Sequence, residues 1–237
     1  MRNLEEYNDK YNNRTGIVIG GGFSIQFQDL SCLCNHITIA VNTGYCAYPE
    51  ANFFLSDDWS VTLWSFFHDE LKKSNTTVLL YEDKLFNFSK PFGDRAVLFR
   101  HRKGYDVSDI YAHEEYKNHL FECRTSVATA IGVLHIMGCS RVILLGVDCC
   151  RYTNGERYFW QFPHQPDGRI FPKRIDYAPL DKFKKRRIKG KRTDSDLIDI
   201  QRYWENNTKD MRKKINIYNA SEYSELTIFP KVKIQDI

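Results

Sequence analysis

Short apolar runs alternate with segments of helical spacing along this chain. Thr15–Ile19, Ile37–Val41, Phe53–Leu55, Thr76–Tyr81 and Ala96–Arg100 are rich in β-branched and aromatic residues, and each reads as a strand. Arg141–Asp148 opens an unbroken apolar run, the pattern of a strand covered on both faces of a parallel sheet. Ile215–Asn219 reads as a last strand. Between them, Ile25–Leu33 is helix-like, and Trp59–Lys73 reads as a helix with Ser56 or Asp57 at its N-cap. Thr125–Met137 places Val127, Ile131 and Leu134 at helical spacing, with Gly138 where a C-cap falls. Asp194–Lys213 is the last helix, capped by Thr193 or Asp194. Strands alternating with helices predict an α/β fold: a doubly wound, mostly parallel, Rossmann-like sheet.

In such sheets ligands sit beyond the carboxyl ends of the strands, so the residues at those ends carry the candidate chemistry. The first strand runs into Gly20-Gly21-Gly22-Phe23-Ser24, a turn in which backbone N–H groups can approach a phosphate. No further glycine completes a G-x-G-x-x-G fingerprint, and no GxxxxGK[ST] motif is present. The second strand ends at Asn42, the third at Asp57 and Asp58, and the later one at Gly146-Val147-Asp148. A glycine turn, an amide and carboxylates at one edge suit a nucleotide; singly, Asn and Asp are also frequent turn residues. Asp57 and Asp58 can share a Mg²⁺ ion with nucleotide phosphates. Adjacent residues point to opposite faces, however, so one of the two reaches a site and the other caps a helix.

Length and composition narrow the class. With 237 residues, 42% hydrophobic and 14% aromatic, one globular domain spanning 1–237 is expected, with 151–192 inserted as a basic loop or lid. No apolar run approaches the roughly 18 residues of a membrane span, and the polar start Met1-Arg2-Asn3-Leu4-Glu5-Glu6 is not a secretory signal. The seven cysteines lack paired or zinc-ligand spacing and read as reduced, cytoplasmic thiols. The net charge of +4 is unevenly spread. Between Arg169 and Arg192 eleven Lys or Arg face two acids, giving +9 there and −5 elsewhere. Such a segment, with Lys184, Lys185, Arg186 and Arg187 at its centre, either solvates itself or forms an electropositive lip for nucleotide phosphates, DNA or another polyanion. Beside it lies Tyr158-Phe159-Trp160-x-Phe162, a loop's own small core or a stacking surface for a sugar or an extruded base. His164 follows; histidine titrates near neutrality, as general-base work requires.

The order Gly20-Gly21-Gly22-Phe23-Ser24, Val41-Asn42, Thr125-Ser126, Leu145-Gly146-Val147-Asp148, Asn154-Gly155-x-x-Tyr158 and Ile217-Tyr218-Asn219-Ala220-Ser221 resembles that of bacterial sialyltransferases using CMP-sialic acid. It is similar also to the related Rossmann-like group that includes 6-hydroxymethylpterin diphosphokinase and many phage and surface-polysaccharide proteins. The resemblance implies a glycosyltransferase with a nucleotide-sugar donor. Gly20, Gly22 and Ser24 would lie on the phosphates, beside Gly21 and Gly146. Asn42 would meet the base or sugar, and Ser126, after Thr125, the donor sugar. Tyr158 would hydrogen-bond the leaving phosphate, with Tyr152 as partner. Two positions depart from the family. Gly21 stands where the family has asparagine, and Gly190-Lys191-Arg192 stands where its catalytic histidine follows a glycine. Lys191 at its ordinary pKa is protonated near pH 7 and is no general base. His164 or Asp148 is then the group that deprotonates an acceptor hydroxyl, on a modified DNA base or elsewhere. Two alternatives remain: pyrophosphate transfer from ATP with Mg²⁺ at Asp57 or Asp58, and a nucleotide- or nucleic-acid-binding protein without catalysis.

Overall fold

The apolar runs are strands, and every pairing among them is parallel. The computed structural model describes residues 2–102, 119–121, 125–149, 158–159, 201–206, 208–209 and 211–237. Along the chain, β1 is Arg2–Asn3, β2 Thr15–Ile19 and β3 Ile37–Val41; the single-turn helix α1, Gly44–Ala47, leads to β4, Phe53–Ser56. Then come α2 (Ser65–Asp69), β5 (Thr77–Tyr81), α3 (Glu82–Ser89), β6 (Ala96–Arg102) and β7 (His119–Phe121). The long helix α4 (Ser126–Ile136) precedes β8 (Arg141–Leu145), and α5 (Met211–Lys214) precedes β9 (Asn216–Asn219).

The strand order is β1-β6-β5-β4-β3-β2-β8-β9, with β7 alongside the far end of β6. From β2 the chain builds outward through β3 to β6, then returns to lay β8 on the other flank of β2. The winding direction therefore reverses between β2 and β8, which is where an open parallel sheet leaves a crevice at its carboxyl edge.

Period-two alternation sorts each strand onto two apolar layers. Val18, Ile39, Leu55 and Leu144 pack with Ile131 and Leu134 of α4 on one face. Ile17, Ile19, Ile143 and Leu145 pack with Ile25, Leu33 and Phe159 on the other. Gly16 lets α4 come close: a Cβ there would lie 2.7 Å from the Leu134 side chain. Gly138 turns the chain at the end of α4 with φ of +88°, and the carbonyls of Ile136, Met137 and Gly138 accept from Asp9, Tyr11 and Asn13 N–H groups.

Two expected helices are broken. Instead of one helix over 25–33 there are 3₁₀ turns at Phe23–Phe27 and Ser31–Asn35. Gln28 between them is extended and donates from Nε2 to the Ala220 carbonyl at 2.5 Å, while Asp29 Oδ1 accepts from Ser31 N at 2.9 Å. Side-chain bonds to backbone outcompete the helical ladder there. Likewise 59–73 divides into a 3₁₀ turn, Trp59–Leu63, and α2, with Trp64 extended and buried at the break. The N-cap is Asp58, correcting the expectation of Ser56 or Asp57: Asp58 Oδ1 accepts from Ser60 N at 2.9 Å. β1, α1, α3 and β7 are additions to the expected elements. Of the expected helix 194–213, residues 194–200 lie outside the described residues, and 201–206 are helical.

Candidate functional site

The carboxyl ends of β2, β3, β4 and β8 lie side by side, because these strands are adjacent and parallel. They bring together Gly20–Ser24, Asn42, Asp57 and Gly146–Asp148 as the sequence pattern requires. The contacts among them decide what each group can do.

The glycine turn is stitched to the end of β8. Gly20 N donates to Leu145 O and Gly22 N to Gly146 O, both at 2.8 Å. No side chain fits in this seam. A Cβ on Gly20 or Gly22 would stand 2.5 Å from the Gly146 oxygen, and one on Gly146 would stand 2.6 Å from the Gly20 oxygen. Gly146 also has φ of +61°, in the left-handed region open to glycine. The turn leads into the five-residue 3₁₀ segment Phe23–Phe27 rather than an α-helix.

Asp148 pins the far side of the same turn. It is 4% exposed, and its carboxylate accepts from Ser24 N at 2.7 Å through Oδ2 and from the Ser24 hydroxyl through Oδ1. The loop after β9 braces the strand end: Glu225 N donates to Asp148 O, Val147 N to Ser221 Oγ, and Ser224 Oγ to Val147 O. The donors of Gly20, Gly22 and Ser24 are thus already used within the protein. Gly21 N–H makes no hydrogen bond to any described residue.

Tyr158 lies alongside this turn. Gly22 and Tyr158 form an antiparallel bridge, Phe159 N donates to Gly21 O at 3.2 Å, and a Cβ on Gly21 would lie 2.5 Å from Thr43 Oγ1 and 3.6 Å from the Tyr158 ring. Tyr158 is 41% exposed while Phe159 is buried in the apolar layer with Ile19, Ile25 and Leu145.

On the β3–β4 side, Asn42 sits at φ of +52°, a left-handed conformation that asparagine tolerates better than most residues. Its Nδ2 donates to Ser126 Oγ at 3.3 Å, and the Ser126 hydroxyl donates to Asp57 Oδ1. Thr129 Oγ1 lies 3.5 Å from Asp57 Oδ2. Thr125 is the N-cap of α4, its hydroxyl accepting from Ala128 N at 3.2 Å. The Asn42 Oδ1 atom is buried with no hydrogen-bond partner among the described residues.

Asp57 and Asp58 turn to different partners, Ser126 and Ser60. They do not converge as a two-carboxylate cation site, and no group of three or more His, Cys, Asp or Glu able to hold a metal occurs among the described residues. Tyr152, His164, Lys184, Lys185, Arg186, Arg187 and Lys191 lie outside the described residues. One feature escaped the sequence reading. Phe23, Phe27 and Tyr223 form a partly exposed ring cluster near the turn, with centroids 5.1 to 5.9 Å apart. Phe23 and Phe27 share a turn, but nothing local pairs them with Tyr223.

An open, all-parallel α/β sheet with polar residues gathered at its switch point is a Rossmann-like architecture. No protein-family model matches the chain, and no curated protein matches it in sequence. Among solved structures, the chain is similar to the sialyltransferase CstII from Campylobacter jejuni in complex with the substrate analogue CMP-3FNeuAc, at 14% identity and a TM-score of 0.48, covering 92% of this chain and 86% of that one. A variant of that sialyltransferase in complex with CMP gives 16% identity and the same TM-score of 0.48 and coverage of 92% and 86%. A cytidine-5'-monophosphate complex gives 15% identity and 0.46, covering 93% and 85%. At these values the functional reading rests on the residues of the site itself. No helix among the described residues is long and apolar enough to cross a membrane.

Proposed function

We propose that the chain is a transferase that binds a nucleotide-activated sugar between the carboxyl ends of β2, β3 and β8 and passes the sugar to an acceptor hydroxyl. The observation that carries this reading is the pairing of Gly21 N–H, left open in a turn otherwise stitched to β8, with Tyr158 beside it. A peptide N–H with a tyrosine on the neighbouring strand segment suits a phosphate oxygen that gains charge as the sugar leaves. In this reading the anomeric carbon–oxygen bond to phosphate breaks, a carbon–oxygen bond to the acceptor forms, and the acceptor proton goes to a base. His164 is the base, and Tyr152 assists Tyr158. Asp148, with its oxygens on Ser24, holds the turn rather than taking the proton. Thr125 and Ser126, at the start of α4, and Asn42 face the sugar or base. The basic run that includes Lys184, Lys185, Arg186, Arg187 and Lys191 supports a polyanionic acceptor, with DNA as the case to test.

The test is a thermal-shift panel of nucleotides and nucleotide sugars with and without Mg²⁺. A ligand at 100 times its Kd adds about 2.7 kcal/mol, or about 5–10 °C in a chain of this size. A shift with a CMP-, UDP- or GDP-linked sugar beyond its bare nucleotide, followed by turnover that His164→Ala abolishes, is the expected result. A shift with ATP and Mg²⁺ alone would move the reading to pyrophosphate transfer. Binding without turnover would leave a nucleotide-binding protein, and silence across the panel would refute a nucleotide site.

A further inference from the structure

Three rings stand together on the β9 side of the glycine turn. Phe23 and Phe27 lie on the 3₁₀ segment that follows the turn, and Tyr223 on the loop after β9, in mutual edge-on or tilted contact. Phe27 is 49% and Tyr223 48% exposed, and neither belongs to an apolar layer of the sheet. The backbone beneath them is nonetheless held at many points. Ser24 is fastened to Asp148, and Gln28 Nε2 ties the segment to the loop through the Ala220 carbonyl. Ser221 Oγ and Ser224 Oγ bond the backbone of Val147, and Lys231 Nζ closes the loop by donating to Ser221 O at 2.8 Å and Ser224 O at 2.9 Å. Exposed rings on a fixed frame make a preorganised contact surface.

Phe27 is also one wall of an open groove of about 730 Å³ that runs between the 3₁₀ segments and α1. Its charges are the carboxylates of Asp29 and Glu50, and no Lys, Arg or His lines it among the described residues. The Ser31 N–H donates to Asp29 Oδ1 and holds that carboxyl below its ordinary pKa. Gln26 Nε2 donates to Phe23 O at 3.1 Å, which leaves the amide oxygen to accept. Ring faces and acceptors without a cation repel phosphate and suit the C–H face and hydroxyls of a sugar. A 3₁₀ segment rises about 2 Å per residue, so Phe27 lies about 10 Å along it from Gly22, farther than one sugar ring reaches.

We propose that the Phe23–Phe27–Tyr223 rings and the adjoining groove form a carbohydrate-binding surface, separate from the nucleotide site, that holds the distal, uncharged sugar units of a chain-like acceptor. The inference rests on the nucleotide-sugar reading in calling this ligand the acceptor. It favours an oligosaccharide over DNA, whose phosphates Asp29 and Glu50 would oppose.

The test applies the full chain to an array of immobilised neutral oligosaccharides, from monosaccharides to hexasaccharides of varied linkage, with duplex DNA and spermine alongside. Retention of at least one neutral series, stronger for its longer members than for its monosaccharide, is expected. Phe27→Ala and Tyr223→Ala should each weaken that retention about tenfold, and Asp29→Asn should weaken it several-fold. Both rings are half-exposed, so their removal leaves the cores filled. Phe86→Ala, a comparably exposed ring on α3, is the control that should change nothing. The nucleotide panel, run on the same preparations, reads the nucleotide site independently. Retention of no neutral oligosaccharide, retention indifferent to both ring substitutions, or retention of DNA or spermine alone would overturn the proposal while leaving the nucleotide site standing. Oligosaccharide retention without a response to any nucleotide sugar would refute the transferase reading, and the acceptor role with it.

Discussion

Replacing Gly22 by alanine separates two reasons for a glycine. Its φ of −69° and ψ of 163° are open to any residue, so backbone conformation imposes no penalty. Space does. The new Cβ would lie 2.5 Å from the Gly146 oxygen and 2.8 Å from Asp148 Oδ2, against an ordinary non-bonded separation of about 3.5 Å. The turn must retreat by about 1 Å, and both obstacles are held: Gly146 O by Gly22 N at 2.8 Å, Asp148 by Ser24. Overpacking costs about 1–3 kcal/mol, and loosening a hydrogen bond to a buried carboxylate adds about 1 kcal/mol or more. A loss of about 3 kcal/mol is expected, lowering Tm by about 6–12 °C for a chain of this size. Thermal and urea unfolding followed by circular dichroism measure it, with an unchanged urea m-value showing that folded and unfolded states keep their compactness. Gly16→Ala is the control. Its Cβ meets the tip of the Leu134 side chain first, at 2.7 Å, rather than backbone, so the lower end of the overpacking range, about 1 kcal/mol, is expected. A Gly22→Ala protein no less stable than Gly16→Ala would refute the tight seam between the turn and β8.

Three further outcomes are expected. Ser24→Ala removes one of the donors on the buried Asp148 carboxylate and should cost about 1.5–3 kcal/mol in urea unfolding; an unmoved midpoint would show that the carboxylate does not hold the turn. Burial lowers the folded-state pKa of His135 on α4, and of His36, below the ordinary value near 6.5. The unfolded chain then binds more protons just below that value, so stability should fall as pH drops from about 7 toward 5. His135→Gln should flatten this slope, and a slope unaffected by the substitution would assign it elsewhere. Converting Lys184, Lys185, Arg186 and Arg187 to glutamine should weaken binding to duplex DNA and make its salt dependence shallower, and an unchanged salt slope would remove the basic run from any polyanion interface.

The strands β2, β3, β4, β5, β6, β8 and β9 were legible in the sequence because apolarity, β-branching and period two are local properties. The doubly wound parallel class followed from their alternation with helices, and that class in turn placed Gly20–Ser24, Asn42, Asp57 and Asp148 at one edge. What failed locally failed for long-range reasons. The helix expected over 25–33 is interrupted where Gln28 reaches a carbonyl 192 residues away, and Trp64 breaks the next one by entering the core. Tertiary structure alone decided which donors remain for a ligand. Gly20, Gly22 and Ser24 looked like phosphate ligands, but the end of β8 and the residues just after it supply acceptors for all of them, Asp148 reaching Ser24 across 124 positions of sequence. It also divided Asp57 from Asp58 and oriented Asn42 through Ser126, 84 residues later. A hydrogen bond is a pairing, and its partner is chosen by sheet order; residue type alone states only that a partner is needed.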